Sequence, residues 1–205
     1  MKSNVCKIEN GTKDLAAILK ECEKVAVYNE LTHKQALQLR LLCEEIDGML
    51  PNIIDDFGGD LWIEFENGVC RVNVSLSFEE FSVEKKEDLV KLSRNKKNAA
   101  AVGIVGRIRS ALEDVFLGDD LLDGADLSLE SRHYATEYYT GMNSYSGVDY
   151  ACLWSLEQYR STVKKEERAD DWDELERSVI ASVADDVIVG VRGRHADLVI
   201  VKKFA

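Results

Sequence analysis

A single proline, Pro51, interrupts the 205 residues, and no stretch is rich enough in Gly, Ser or Pro to act as a linker between separate cores. One domain spanning 1–205 is therefore expected, with apolar content sufficient for a sizeable core. No apolar run reaches the roughly 20 residues that a membrane-spanning helix needs. The opening segment, MKSNVCKIENGTKD, has no apolar core of signal-peptide length, so a soluble, cytoplasmic protein is expected. Basic residues are also short: 26 Lys and Arg stand against 38 Asp and Glu, a formal charge of -12. That balance repels phosphate backbones and anionic bilayers, which makes nucleic acid and membranes poor partners. The tightest basic pairs, Lys96-Lys97 and Lys164-Lys165, are short and sit beside polar or acidic residues.

Metal-ligand spacing is missing as well. Cys6, Cys22, Cys43, Cys70 and Cys152 lie far apart, mostly in apolar patterns, and His33, His133 and His195 are equally scattered. Reduced packing cysteines and no metal site are expected.

What is present is periodicity. A short strand is expected around Val5 to Ile8, then an amphipathic helix over 13–27 with Leu15, Ile18, Leu19, Cys22, Val25 and Ala26 at helical spacing. Thr32, with Gln35 three residues on, reads as a capping box for a second helix that runs until Pro51 perturbs or ends it. The buried stripe of this helix is Leu39, Leu42, Ile46 and Met49, with Ile53 in line. Glu45 borders the stripe, while Glu44 falls on the solvent side.

Leu61 to Glu66 and Val69 to Leu76 alternate apolar and polar residues about Asn67-Gly68, a strong hairpin signal. Residues 79–92 are charged and weakly helical in pattern, and 98–116 reads as a clearer helix containing Gly103 and Gly106. An irregular, acidic and then Tyr- and Gly-containing excursion over 117–148 precedes Asp149, read as the N-cap of a long helix over about 149–185. Its ends are apolar and its middle, Arg160 to Asp171, is mostly charged, so the middle is expected to project into water. A last strand pair, Val187 to Val191 and Asp197 to Val201, flanks Gly190 to Gly193.

Several residues have two readings. Glu44, Glu45 and Asp47 are either catalytic acids or a solvated helix rim, and charge clusters favour the rim. Gly103 and Gly106 serve close helix packing or phosphate contact. Asp119, Asp123, Gly124 and Glu130 match part of a calcium-binding loop at 119–130, but Leu121 and Leu127 occupy ligand positions. The rings of His133, Tyr134, Tyr138, Tyr139 and Tyr145 either pack the excursion onto the core or form a partner surface.

Two strings, LRLLCEEIDGM at 39–49 followed by GDLWIEFENGVCRVNVSL, and SVADDVIVGVRGRHADLVIVKKF at 182–204, carry a resemblance. In that order and separation the chain resembles the histidine-kinase-like (GHKL or Bergerat) ATPase fold, in the flavour of bacterial anti-sigma-factor serine kinases. The resemblance covers most of the chain. It implies an α/β (α+β sandwich) domain with a mixed, mainly antiparallel sheet of about five strands and helices packed on one face.

For chemistry it implies ATP with Mg²⁺. Glu45 matches the glutamate that positions the attacking group, and an Asn four residues later holds Mg²⁺ in active members. Here that position is Met49, and Asn52 is the nearest amide. The family's Asp-x-Gly-x-Gly after the hairpin is replaced by Ser75-Leu76-Ser77-Phe78-Glu79. Gly141 and Gly147 best match the glycines that meet phosphates, ahead of Gly103 and Gly106. The implied function is a bacterial cytosolic regulator on an anti-sigma-like fold, degenerate in ATP binding and working on a protein such as a sigma factor or its antagonist. The alternative is an active ATP-dependent serine kinase of the anti-sigma type.

Overall fold

The computed structural model describes residues 1–9, 15–54, 56–78, 104, 106, 108–109, 152–165, 178–192 and 194–204. Its frame is a six-stranded open sheet in the order β1-β2-β3-β6-β5-β4. The strands are β1 (Cys6–Glu9), β2 (Gly58–Glu66), β3 (Val69–Ser77), β4 (Cys152–Ser155), β5 (Asp186–Arg192) and β6 (His195–Lys203). Every neighbouring pair is antiparallel. The α+β class therefore holds, but the sheet is neither mixed nor five-stranded. No neighbouring strands run parallel, and β4 supplies a sixth strand where a helix was expected.

The local chemistry explains the elements that the sequence announces. Asn67 and Gly68 sit at φ 50° and 76°, the left-handed pair that a two-residue turn with the strands' own twist requires. Helix α1 (Leu15–Tyr28) buries Ile18, Cys22, Val25 and Ala26 on one stripe. In helix α2 (His33–Ile53), the Gln35 amide donates to Thr32 Oγ1, and the Thr32 amide donates to Gln35 Oε1 at 2.9 Å, closing the expected capping box. Pro51 does not stop α2. The helix runs on to Ile53, and the Ile54 amide closes it on the Leu50 carbonyl at 3.0 Å. Burial of Leu50 and Ile53 on either side of the proline offsets the hydrogen bond that Pro51 cannot donate.

Strand alternation builds the core. Leu61 and Ile63 of β2, Cys70, Val72, Val74 and Leu76 of β3, Val187, Val189 and Val191 of β5, and Ala196, Leu198 and Ile200 of β6 join one apolar cluster with α1, α2 and helix α4 (Val179–Val183). Ile104 and Ile108, both helical, enter the same cluster. The four described cysteines, Cys6, Cys22, Cys43 and Cys70, form no disulfide with one another and are buried within it, as expected for reduced packing cysteines. Burial pushes the Cys70 thiol up to about 12. The other face is polar where β1 to β3 expose it. There Lys2 lies 4.7 Å from the Trp62 ring centroid and 3.1 Å from Glu64, while Lys7 and Asp60 pair across β1 and β2 at 2.6 Å.

The helix expected from Asp149 begins later. Residues 152–155 pair with β5 instead, Trp154 opposite Val189, and helix α3 (Leu156–Lys165) starts at Leu156 with the Gln158 amide donating to Ser155 Oγ. The free edge of β5 offers backbone partners that no sequence window displays, and the segment Cys-Leu-Trp suits a half-buried strand as well as a helix. At the far end of the expected span, Ser178 caps α4 and Ala184 ends it. Residues 166–177 lie outside the described set, as do the excursion at 117–148, the partial calcium loop at 119–130 and the tyrosine group.

Gly48 lies inside α2 with open space around it, since a Cβ built there meets nothing within 4 Å. A glycine in a helix interior costs about 1 kcal/mol relative to alanine. Gly48→Ala is therefore expected to raise the unfolding free energy by about 1 kcal/mol in an equilibrium denaturant titration. A loss of stability would mean that the face around Gly48 is covered.

Candidate functional site

Two of the residues that the resemblance singled out, Glu45 and Asn52, lie on one side of α2, with Gly48 between them. Glu45, Gly48 and Asn52 follow one another at i, i+3 and i+7 and so share a helical face. Glu45 is half-buried and Asn52 is exposed. The Arg109 guanidinium donates to the Asn52 carbonyl at 3.4 Å, which brings Arg109 against the C-terminal end of α2. Glu44 points elsewhere. Arg40, one turn back, bonds it at 2.9 Å and reaches Glu23 of α1 at 3.7 Å, so this carboxylate belongs to a surface ion-pair chain.

The geometry separates Glu45 from Asn52. An i, i+4 pair is one turn apart, about 6 Å along the axis, whereas Glu45 and Asn52 are roughly 10 Å apart along it. The residue at i+4, Met49, is buried in the core at 5 % exposure. Asn52 donates Nδ2 to the Gly48 carbonyl at 3.1 Å, so its side chain lies back along its own helix. Among the described residues, no group of three or more His, Cys, Asp or Glu side chains is placed to hold a metal ion. Phe78, the fourth residue of the string that stands in place of the family's Asp-x-Gly-x-Gly, is 6 % exposed and lies in the apolar cluster, its amide donating to the Arg194 carbonyl. Gly141 and Gly147 lie outside the described residues, as does Gly103, and Gly106 is helical.

A second polar centre was not picked out from the sequence. Asp186, at the start of β5, is 7 % exposed, and its Oδ1 accepts from Ser155 Oγ at 3.1 Å, the Glu157 amide at 2.9 Å and the Val187 amide at 2.8 Å. Burial pushes its carboxyl above the usual carboxylate range, and the three donors work against that shift. Beside it the Arg160 guanidinium donates to the Ala181, Ala184 and Asp185 carbonyls, taking up acceptors that the end of α4 leaves open. Asp185 accepts from the Lys203 amide at 2.5 Å and pairs with Lys202 at 3.3 Å. This centre ties α3, α4, β5 and β6 together. Its side chains are already committed to one another and to the backbone, so it serves as a structural joint. The only sequence signal was the acidic pair Asp185-Asp186 ahead of an apolar run.

No protein-family model matches the chain, and no curated protein or solved structure matches it either. No helix among the described residues is long and apolar enough to cross a membrane.

Proposed function

We propose that this chain is a cytosolic regulatory protein on a histidine-kinase-like ATPase fold, degenerate in ATP binding, that acts by contacting another protein, as anti-sigma-type regulators do. The partner class is a transcriptional regulator such as a sigma factor or its antagonist. One observation carries the reading: Met49, at the position where the resemblance asks for the magnesium-binding Asn, is packed into the core, while Ser75-Leu76-Ser77-Phe78-Glu79 offers no Asp-x-Gly-x-Gly for adenine. A buried thioether supplies no oxygen ligand for Mg²⁺. The order of strand, paired helices, hairpin and closing hairpin supports the fold half of the proposal, and function is argued from the site rather than from that order.

Thermal unfolding with and without millimolar Mg-ATP tests this reading. A ligand present at a thousand times its Kd stabilises by about 4 kcal/mol, which raises the midpoint of a chain this long by roughly 8 °C or more. No rise is expected here.

The second reading is an active serine kinase in which Glu45 positions the attacking hydroxyl and Asn52 supplies the magnesium ligand. The open helix face shared by Glu45, Gly48 and Asn52 favours it. Under that reading the midpoint rises with Mg-ATP, and Glu45→Ala abolishes phosphoryl transfer while leaving affinity largely intact.

A further inference from the structure

Four buried thiols enter the core from four different elements, Cys6 of β1, Cys22 of α1, Cys43 of α2 and Cys70 of β3. No three of them are placed to hold a metal ion. Two are direct partners: the Cys22 and Cys43 thiols hydrogen-bond each other across the interface of α1 and α2.

Helix register puts this pair at one level independently of that bond. Only Asn29 to Thr32 separate the two helices, so α1 and α2 pack as an antiparallel hairpin. The ion pair between Arg40 and Glu23 at 3.7 Å marks one rung of it. Moving away from the connection, Cys22 is one residue and Cys43 three residues beyond this rung, at levels about 3 Å apart along the axes. Both lie on the buried stripes of their helices.

The two thiols are not equivalent. The hydrogen bond from Cys43 holds the Cys22 thiol below the usual thiol range; burial and the Glu23 and Glu44 carboxylates oppose this, and the Arg40 guanidinium favours it. The same bond, with burial added, raises the Cys43 thiol well above that range. Cys22 is thus the nucleophilic member and Cys43 the donor beside it. Cys70, by contrast, is a thiol that burial alone carries up to about 12.

We propose that Cys22 and Cys43 form a redox clasp, which a hydroperoxide closes to a disulfide tying α1 to α2 and a small thiol reopens. Cys22, as thiolate, attacks one oxygen of hydrogen peroxide; the O–O bond breaks, the other oxygen leaves as hydroxide and becomes water, and Cys22 is left as the sulfenic acid. The Cys43 sulfur gives up its proton and displaces hydroxide from the Cys22 sulfur, so that an S–S bond forms and the S–O bond breaks. Two thiols and one peroxide give one disulfide and two waters, with two electrons passing from sulfur to oxygen. Cys22 is 1 % and Cys43 0 % exposed, so oxidation waits on local opening of the hairpin and runs over minutes to hours. The clasp is independent of nucleotide, and ATP binding or its absence leaves it unchanged.

The experiment treats the whole reduced chain with hydrogen peroxide under native conditions, removes the peroxide with catalase, unfolds the chain in an alkylating reagent and maps the thiols by mass spectrometry. Digestion includes a glutamate-specific protease, because Cys43 and Cys70 share one tryptic peptide, 41–71. Two of the five cysteines are expected to escape alkylation, in a single cross-linked pair of peptides carrying Cys22 and Cys43, and dithiothreitol is expected to restore both. The cross-linked chain is expected to melt roughly 6 °C or more above the reduced one, since the bond closes a loop of about twenty residues. Cys22→Ala and Cys43→Ala are each expected to lose the cross-link and the shift, and Cys70→Ala to keep both.

Five alkylated cysteines after peroxide, a cross-link through Cys70, or a pair that forms only in denaturant would overturn the proposal. So would an oxidised chain that melts no higher than the reduced one. These outcomes are all read on the parent chain, whether or not the variants fold.

Discussion

Gly59→Ala is expected to destabilise the fold by about 3 kcal/mol, the upper range for forcing a methyl into a filled space, and to lower the thermal midpoint by roughly 6 to 12 °C. A Cβ at this position would sit 2.3 Å from the Ser75 carbonyl oxygen and 3.1 Å from the Leu76 Cα and Cδ2 atoms. The obstacle is backbone of the neighbouring strand and cannot swing aside. Gly59 pairs with Leu76 of β3 on one side and Ile8 of β1 on the other, so moving it strains two strand contacts together. Its neighbour is the internal control. A Cβ on Gly58 meets nothing within 4 Å, and Gly58→Ala is expected to stay within about 0.5 kcal/mol of the parent. Paired denaturant titrations of the two variants read this contrast, and equal effects would contradict the close approach of β2 to β3.

Asp186→Ala is expected to cost about 2 to 4 kcal/mol, because the Glu157 and Val187 amides and the Ser155 hydroxyl lose the acceptor they share, at about 1 to 3 kcal/mol for each buried group left unsatisfied. Asp186→Asn behaves differently. Nearly all the bonding runs through Oδ1, which an amide oxygen can replace. The sign of the pH dependence follows from the raised carboxyl. The folded chain keeps this proton to a higher pH than the unfolded chain, so the contribution of Asp186 is most favourable in acid. It weakens as pH rises from the unfolded carboxylate value through the folded one. Asp186→Asn should therefore gain on the parent as pH rises through that window and show its smallest advantage in acid.

Glu21 runs the opposite way. The hydrogen bond from Lys24 holds its carboxyl below the usual range, against the effect of burial, and bonds from Asn4 act in the same direction as Lys24. Its contribution is present above the unfolded value and is lost as pH falls through the folded one. Unfolding curves of Asp186→Asn and parent across pH separate the two groups, and a constant difference would mean that folding leaves the Asp186 carboxyl unshifted.

Local chemistry made much of the fold legible. The Asn67-Gly68 turn, the Thr32 and Gln35 capping box and the apolar stripes of α1 and α2 each involve neighbours within a few residues, and each appears where it was expected. The β3–β6 pairing at the centre of the sheet joins Val69 to Lys203 and Ser77 to His195, across more than half the chain. No short window carries that information. Strand β4 was hidden for a related reason: its partner is the edge of β5, and its sequence alone fits either a strand or the first turn of a helix.

The candidate site divides along the same line. That Glu45 borders the buried stripe could be read from helical spacing, as could the choice of Met49 as its i+4 neighbour. What packing added is that Met49 and Phe78 both enter the core and that the Asn52 amide turns back onto Gly48. Asp186 was missed because burial depends on the meeting of α3, α4 and β5, and an acidic pair looks the same in sequence whether it is solvated or enclosed.

The central proposal is that the α2 face does not handle nucleotide, and calorimetric titration of the purified chain with ATP in the presence of Mg²⁺ addresses it most directly. No binding heat is expected up to millimolar ATP. Micromolar, magnesium-dependent binding would contradict the claim and return Glu45 and Asn52 to a kinase.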